Sequence, residues 1–76
     1  MVTFSFSQAL YFLEQGKAVA RQGWNGPNQS IHLQLPDADS ANTLPYLYII
    51  TVTGDRVPWL ASQSDLLTHD WFEVGG

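Results

Sequence analysis

The chain has 76 residues, 45% of them hydrophobic, and it contains no cysteine, which excludes disulfides and thiolate metal sites. Its formal charge is −4 with three Lys and Arg residues, too few cations for binding nucleic-acid polymers or anionic membranes. We expect one domain over residues 1–76, with no membrane span and no signal peptide, in a reducing cytoplasm. A domain this small buries only about 60% of its unfolded surface, so we expect it to associate with other copies.

The N-terminal residues predict a strand followed by the main helix. Residues 2–6 alternate apolar and hydroxyl side chains, which is typical of a half-buried strand. Ser7 is the predicted N-cap, and a capping box at Ser5 is the alternative. The helix is expected to run to about Gln15 and to end at Gly16, because glycine readily adopts the left-handed conformation.

Two further strands are predicted on either side of a glycine-rich turn. Residues 17–21 alternate charged and apolar side chains, and the small Ala18 and Ala20 would let the first helix approach closely. Residues 30–35 alternate between an apolar and a polar side, as in a half-exposed strand. The turn contains Trp24, which either plugs the end of the core or stands exposed as a flat platform.

A loop and a hairpin are predicted in the middle of the chain. Residues 36–45 are polar with two prolines, and their two Asp residues do not continue as a calcium loop, so we expect no metal. Residues 46–53 are apolar on both faces, which is typical of a central strand or of one that meets another subunit. Gly54-Asp55 predicts a tight turn, and residues 56–59 return antiparallel.

Two tryptophans, two helix caps and two carboxylates fall within residues 57–71. Ser62 is a good N-cap, and Asp65 can bond back to the backbone of the cap. In one interpretation the polar groups only delimit a short helix and four apolar side chains are core. These four are Leu60, Leu66, Leu67 and Trp71. In the other interpretation an exposed Trp59 and the helix N-terminus face a ligand.

The last predicted element is a strand from Trp71 to Val74. The elements together predict an α+β fold. We expect an antiparallel sheet of four to five strands, one main N-terminal helix and one short C-terminal helix.

Catalytic chemistry is poorly supported by the sequence. Nucleophilic catalysis needs a base and an orienting group, but His32 and His69 are the only histidines and no serine lies in a nucleophile elbow. Asp65 and Asp70 flank a helix end, where carboxylates more often cap and contact solvent than exchange protons. No glycine pattern for phosphates or dinucleotides is present. We therefore predict a protein without enzymatic activity and without a cofactor.

Binding of one small nucleotide-like ligand is better supported. Trp24 and Trp59 offer aromatic faces, on which a base stacks for roughly 1–3 kcal/mol. A helix N-terminus at Ser62, with Arg21 nearby, could hold one or two phosphates without a basic surface. Ribose hydroxyls and base edges need amide or carboxyl partners. The candidates are Asn25, Gln63 and Asp65.

Five blocks of this sequence, in order, resemble a known family. They are Phe6-Ser7-Gln8-Ala9-Leu10, Gly16-Lys17, Arg21-Gln22-Gly23-Trp24-Asn25-Gly26, the stretch 57–67 and Asp70-Trp71. The resemblance covers most of the chain, and the Pro-Trp-Leu-Ala-Ser-Gln block at residues 58–63 is highly specific. The pattern is similar to a small phage and prophage family whose characterised members are Thoeris anti-defence proteins of the second type.

The resemblance implies a non-enzymatic sponge in the cytoplasm of the bacterial host. Family members capture the cyclic ADP-ribose isomer made by TIR-domain proteins and hold it intact, and some also take up cyclic dinucleotides. The resemblance further implies a homo-oligomer, with a tetramer favoured, and pockets at subunit boundaries. The positions carried over as ligand-binding are Arg21, Trp24, Asn25, Trp59, Ser62, Gln63 and Asp65.

One departure from the family concerns residues 36–45, a segment that is longer in several characterised members. Any ligand contacts which that segment supplies elsewhere are missing here, so the preferred nucleotide is left open. The alternative to a sponge is a phage accessory module that binds a partner protein through exposed aromatic residues.

Overall fold

The fold is taken from a computed structural model, which describes residues 2–24, 28–36 and 44–75. Asn25 and the acidic pair Asp37 and Asp39 lie outside the described residues. The elements are α1 (Phe6–Glu14), β1 (Ala18–Arg21), β2 (Ser30–Gln34), β3 (Tyr46–Ile50), β4 (Arg56–Pro58), α2 (Gln63–Leu67) and β5 (Trp71–Val74). The strands form one antiparallel sheet in the order β4-β3-β2-β1-β5. The predicted α+β class is confirmed, with five strands and two helices among the described residues.

The main helix begins earlier than its first predicted cap. Ser5 is the N-cap, and its Oγ accepts a hydrogen bond from the backbone N–H of Gln8 at 3.3 Å. The prediction of Ser7 as the cap is therefore wrong, and Ser5 of the alternative is the N-cap. The side-chain oxygen of an N-cap residue accepts from the N–H of the second or third helical residue. The bond from Gln8 to Ser5 therefore makes Phe6 the first residue of the helix.

The predicted first strand is not formed as an element. Residues 2–6 contribute one isolated bridge, in which Phe4 and Trp71 exchange backbone hydrogen bonds of 2.9 and 3.2 Å. The alternating pattern was misleading because Phe6 already belongs to α1. At the other end, Gly16 has a φ of +86°, and it terminates the helix as predicted.

The hydrophobic core lies between α1 and one face of the sheet. Its fully buried members are Ala9, Leu13, Val19, Ile31 and Trp71. The helix therefore packs on the Val19 side of β1. The prediction that Ala18 and Ala20 face the helix is wrong, because neighbouring strand residues point to opposite faces. Burying a medium or large apolar side chain stabilises the fold by about 1.5–3 kcal/mol, so these residues anchor the domain.

Strand β3 is internal, paired with β2 on one side and β4 on the other, as its two apolar faces predict. It ends at Ile50, three residues before the predicted end. Thr51 begins the turn, where its carbonyl accepts from Gly54 and its N–H donates to the carbonyl of Asp55, both at 2.9 Å. Gly54 has a φ of +89°, which explains the glycine in this hairpin.

Within the described residues, neither helix packs on the other face of the sheet, which we call the helix-free face. Strand alternation places a group of polar and aromatic side chains there. The group consists of His32, Gln34, Tyr46, Tyr48 and Arg56. The molecule thus presents two different surfaces, one built around the helices and one formed by the helix-free face.

Candidate functional site

The short helix α2 is fixed by reciprocal capping. Ser62 Oγ accepts from the backbone N–H of Asp65 at 3.1 Å, and Asp65 Oδ2 accepts from the backbone N–H of Ser62 at 2.9 Å. The predicted capping box is confirmed. Five residues are too few to form a stable helix alone, so α2 depends on this box and on contacts to the sheet.

Arg21, at the end of β1, lies between two carboxylates. Its Nη1 donates to Asp65 Oδ1 at 2.8 Å and its Nε to Asp70 Oδ1 at 2.9 Å. The side chains of Arg21, Asp65 and Asp70 are 17%, 12% and 27% exposed. The trio joins β1, α2 and the residue before β5, and its summed charge is −1.

Asp70 accepts hydrogen bonds from further donors besides Arg21. Its Oδ2 accepts from the backbone N–H of Gly23 at 2.9 Å, and its Oδ1 accepts from Thr68 Oγ1 at 2.8 Å. A Cβ at position 23 would lie 2.9 Å from Oδ2, so this turn needs a glycine for close approach.

Both carboxyl groups are held in the ionised form. Burial alone would raise the pKa of Asp65, but hydrogen bonds from the Ser62 backbone, Arg21 and the Trp24 side chain outweigh it and lower that pKa. Burial likewise opposes ionisation of Asp70, and Arg21 and Thr68 turn the balance so that its pKa is lowered. The hydrogen bonds that Arg21 donates to Asp65 and Asp70 raise the pKa of Arg21. The trio therefore remains charged at neutral pH.

Three tryptophans pack edge to face beside the trio. Trp71 is fully buried, and its Nε1 donates to the carbonyl of Asp65 at 2.8 Å. The ring centroids of Trp24 and Trp59 lie 5.5 and 5.9 Å from that of Trp71 and 6.4 Å from each other. Trp24 and Trp59 are half-buried, so each plugs the core with one part of its ring and leaves another part exposed. We call these six residues the tryptophan–carboxylate cluster: Arg21, Trp24, Trp59, Asp65, Asp70 and Trp71.

The structure brings together most of the predicted binding residues. Direct contacts connect five of them, namely Arg21, Trp24, Trp59, Ser62 and Asp65. Gln63 is the first residue of α2 and is exposed beside them, whereas Asn25 lies outside the described residues. Sequence reasoning missed the ion pair of Asp70 with Arg21, which depends on the pairing of Arg21 with Trp71 across β1 and β5.

The interpretation that placed three leucines in the core is wrong. Leu60, Leu66 and Leu67 are 92%, 46% and 76% exposed, and only Trp71 of the four is buried. The reason is that α2 is attached through Asp65, which turns its leucines away from the protein. These three residues expose apolar side chains on either side of Ser62 along the chain, and we call them the leucine patch.

Two clefts of the described surface lie away from the cluster. One of about 760 Å³ lies between the N-terminal segment, α1 and β5, and includes Phe4, Phe12 and Phe72. A second of about 400 Å³ includes Leu10, Leu33 and Tyr46. None of the predicted binding residues lines either cleft.

Two further features bear on the class of site. In the described ranges, no group of three or more His, Asp or Glu side chains has the arrangement to hold a metal ion. The longer of the two described helices, α1, has nine residues and cannot cross a bilayer.

Comparison with known proteins decides the family. Residues 4–74 match the model described as the Thoeris anti-defense 2-like domain. The chain belongs to this family. It is also 34% identical to Thoeris anti-defense 2 of Bacillus phage SP01, in an alignment that covers 88% of this chain and 90% of that protein. The resemblance found in the sequence is confirmed, and membership supports a role in phage anti-defence.

Proposed function

We propose that this Thoeris anti-defence family member is a sponge, which binds a cyclic nucleotide signal without degrading it. The signal would be a cyclic ADP-ribose isomer or a cyclic dinucleotide, captured in the cytoplasm of the infected bacterium. The observation that carries the proposal is the convergence of five predicted binding residues in one contact network, in a chain whose family is shown. The network supports this binding function and does not by itself identify the ligand.

The exposed parts of the cluster suit a nucleoside. Trp24 and Trp59 are held at a fixed angle of 66° by the buried Trp71, so a base stacking on either ring needs little reorganisation. Ser62 and Gln63 are exposed beside them and offer a hydroxyl and an amide to ribose hydroxyls. We propose that Asn25, the residue after Trp24 in the chain, contributes a second amide.

Arg21 and Asp65 enter the proposal with a different role from the one expected. The Nε and Nη1 donors of Arg21 are bonded to carboxylates, and both oxygens of Asp65 accept hydrogen bonds. A pyrophosphate at this point would also meet the net negative charge of the trio. We infer that both residues position the rings and α2, and that the ligand's phosphates need another cation.

A second copy of the chain is part of the proposal. The leucine patch is apolar and flanks Ser62 along the chain. Covering Leu60, Leu66 and Leu67 by another copy would bury apolar area and deepen the site at a subunit boundary. The sponge is therefore proposed as a homo-oligomer, with a tetramer favoured by the family.

The proposed mechanism is mass action. A sponge works when its sites outnumber the signal molecules and when its Kd lies well below the signal concentration. No bond is broken, so the ligand stays intact. Hydrolysis is the competing mechanism, and it is tested by heating the complex and identifying the released nucleotide. Recovery of a cleaved product would contradict the proposal.

Calorimetry with cyclic ADP-ribose isomers and cyclic dinucleotides tests the binding itself. Trp59→Ala should weaken binding by roughly 1–3 kcal/mol, the worth of one stacked base. Gln63→Ala, at an exposed helix position, should cost about 1 kcal/mol while the fold is kept. Tyr11→Ala is the matched control, because Tyr11 is an exposed aromatic residue on α1 outside the cluster. Absence of binding to the whole panel would refute the sponge.

The alternative function is a module that binds a partner protein. The specific observation in its favour is the leucine patch, since Leu60 and Leu67 are the kind of exposed apolar residues found at interfaces. Native mass spectrometry separates the two functions. A partner module would remain monomeric and indifferent to nucleotides, whereas a sponge would form an oligomer and gain the mass of its ligand.

A further inference from the structure

The three cations of this acidic chain have different partners. Lys17 Nζ lies 3.3 Å from Glu73 Oε2, and Arg21 is bonded to two carboxylates. In the described part of the chain, no carboxylate forms an ion pair with Arg56. The nearest acid along the chain, Asp55, accepts instead from Thr53 Oγ1 at 2.9 Å. Among the described residues, Arg56 is therefore the cation that an anionic ligand can approach with the least competition.

Aromatic and amide groups hold Arg56 on the helix-free face. Its guanidinium carbon lies 4.2 Å from the ring centroid of Tyr48, and its Nη2 donates to Gln34 Oε1 at 3.5 Å. On the other side, Tyr48 stacks on His32, with centroids 5.2 Å apart and planes 9° apart. Arginine stacked on an aromatic ring keeps its outer N–H donors directed outwards, which is the usual geometry for binding a phosphate oxygen pair.

We propose that the helix-free face carries a binding site for the phosphate groups of a nucleotide, centred on Arg56 where it lies over Tyr48. Tyr46, at 6.5 Å from Tyr48 and partly exposed, offers a ring beside this site for a base or a ribose. The site rests on the proposed function in so far as the nucleotide is a cyclic signal. It is distinct from the tryptophan–carboxylate cluster, which lies on the opposite face.

Charge complementarity favours this occupant over an uncharged or cationic one. The cluster on the helix side has a net charge of −1 and bonds its arginine internally. The helix-free face combines an arginine with neutral partners, Gln34 and Tyr48. Residues 56 and 59 of β4 and its extension point to opposite faces, so the two surfaces lie on different sides of one copy of the chain.

The pKa of His32 reports on anion binding at Arg56, whether or not the protein binds a cyclic nucleotide. Burial, and then the charge of Arg56, lowers the pKa of His32. Ser30 Oγ lies 2.8 Å from its Nε2, and the ring faces Tyr48. An anion bound to Arg56 offsets the repulsion between the guanidinium and a protonated imidazole, so the pKa of His32 should rise on binding.

The test compares the wild type, Arg56→Gln and Lys17→Gln. Lys17→Gln is the matched control, since it removes the same charge at an exposed ion pair away from Arg56. Calorimetry with cyclic ADP-ribose and a cyclic dinucleotide measures affinity, and NMR titration of His32 with and without pyrophosphate measures the local effect. We expect Arg56→Gln to weaken binding at least about tenfold and to abolish the pKa rise, and Lys17→Gln to change affinity by less than about twofold.

Each outcome separates the two proposals. If the wild type binds a cyclic nucleotide and Arg56→Gln binds it equally well, the Arg56 site is overturned and the sponge stands. If pyrophosphate raises the pKa of His32 but no cyclic nucleotide binds, the Arg56 site stands and the sponge falls. If neither probe has any effect on the wild type, both proposals are refuted.

Discussion

Two arginines of this protein lie beside aromatic rings and do different work. Arg21 is nearly buried and bonded to Asp65 and Asp70, next to three tryptophans. Arg56 is exposed on the helix-free face, held by a tyrosine ring and one amide oxygen. The partners decide the role of each arginine. Two carboxylates neutralise the guanidinium of Arg21, which therefore has a structural role. The neutral partners of Arg56 leave its charge available to a ligand.

The largest expected effect on stability follows from removing the guanidinium of Arg21. Arg21→Gln leaves two carboxylates close together without a cation. It should lower the free energy of unfolding by about 3 kcal/mol, which is the lower end of the range for breaking a buried ion pair. We expect the lower end because the three side chains remain partly exposed. Urea denaturation measures the loss. Lys17→Gln, at a surface ion pair, should cost less than about 1 kcal/mol. Equal losses in the two variants would remove the distinction drawn between these cations.

The hydrogen bond of Trp71 gives a second test on the helix side. Trp71→Phe removes the Nε1 donor, so the carbonyl of Asp65 loses this hydrogen bond. The free energy of unfolding should fall by about 2 kcal/mol. Trp59→Phe changes the same kind of side chain at a half-buried position and should cost about 1 kcal/mol. The two unfolding midpoints in urea provide the comparison. A larger loss at Trp59 than at Trp71 would contradict the assigned anchor.

Acid should destabilise the helix side through its carboxylates. The pKa values of Asp65 and Asp70 are lowered in the folded state, so their contribution is complete above the unfolded value, near pH 3.9, and is lost as the pH falls through the folded values. Urea midpoints measured across this range should fall more in the wild type than in Arg21→Gln, where the stabilising partner is gone. If the urea midpoints of the two proteins fall equally with pH, Arg21, Asp65 and Asp70 are not the source of the acid destabilisation.

The smallest expected effect is at Arg56. Arg56→Gln loses an exposed cation–π contact and one long hydrogen bond, so its unfolding free energy should fall by no more than about 1 kcal/mol. The same variant should raise the pKa of His32, because a repelling charge is removed. Urea denaturation and NMR titration measure the two effects. A loss as large as that of Arg21→Gln would make Arg56 a structural residue.

The local signals in the sequence were reliable where one residue type leaves few choices. The cap at Ser62 with Asp65, the glycines at 16 and 54 and the internal strand β3 all followed from caps, positive φ and alternation. Alternation failed at residues 2–6, because a helix cap inside the pattern ended the strand. The leucines of α2 were misplaced because their burial depends on which side of the helix is attached.

The fold class, the family and the set of polar and aromatic residues around α2 follow from the amino-acid sequence alone, because caps, turns and a specific block of residues are local properties. The folded structure was needed to show that Arg21 pairs with Asp65 and Asp70, which lie 44 and 49 residues away. It also decided that Arg56 lies over Tyr48 on the opposite face. These contacts depend on strand register, and register is set by the whole sheet.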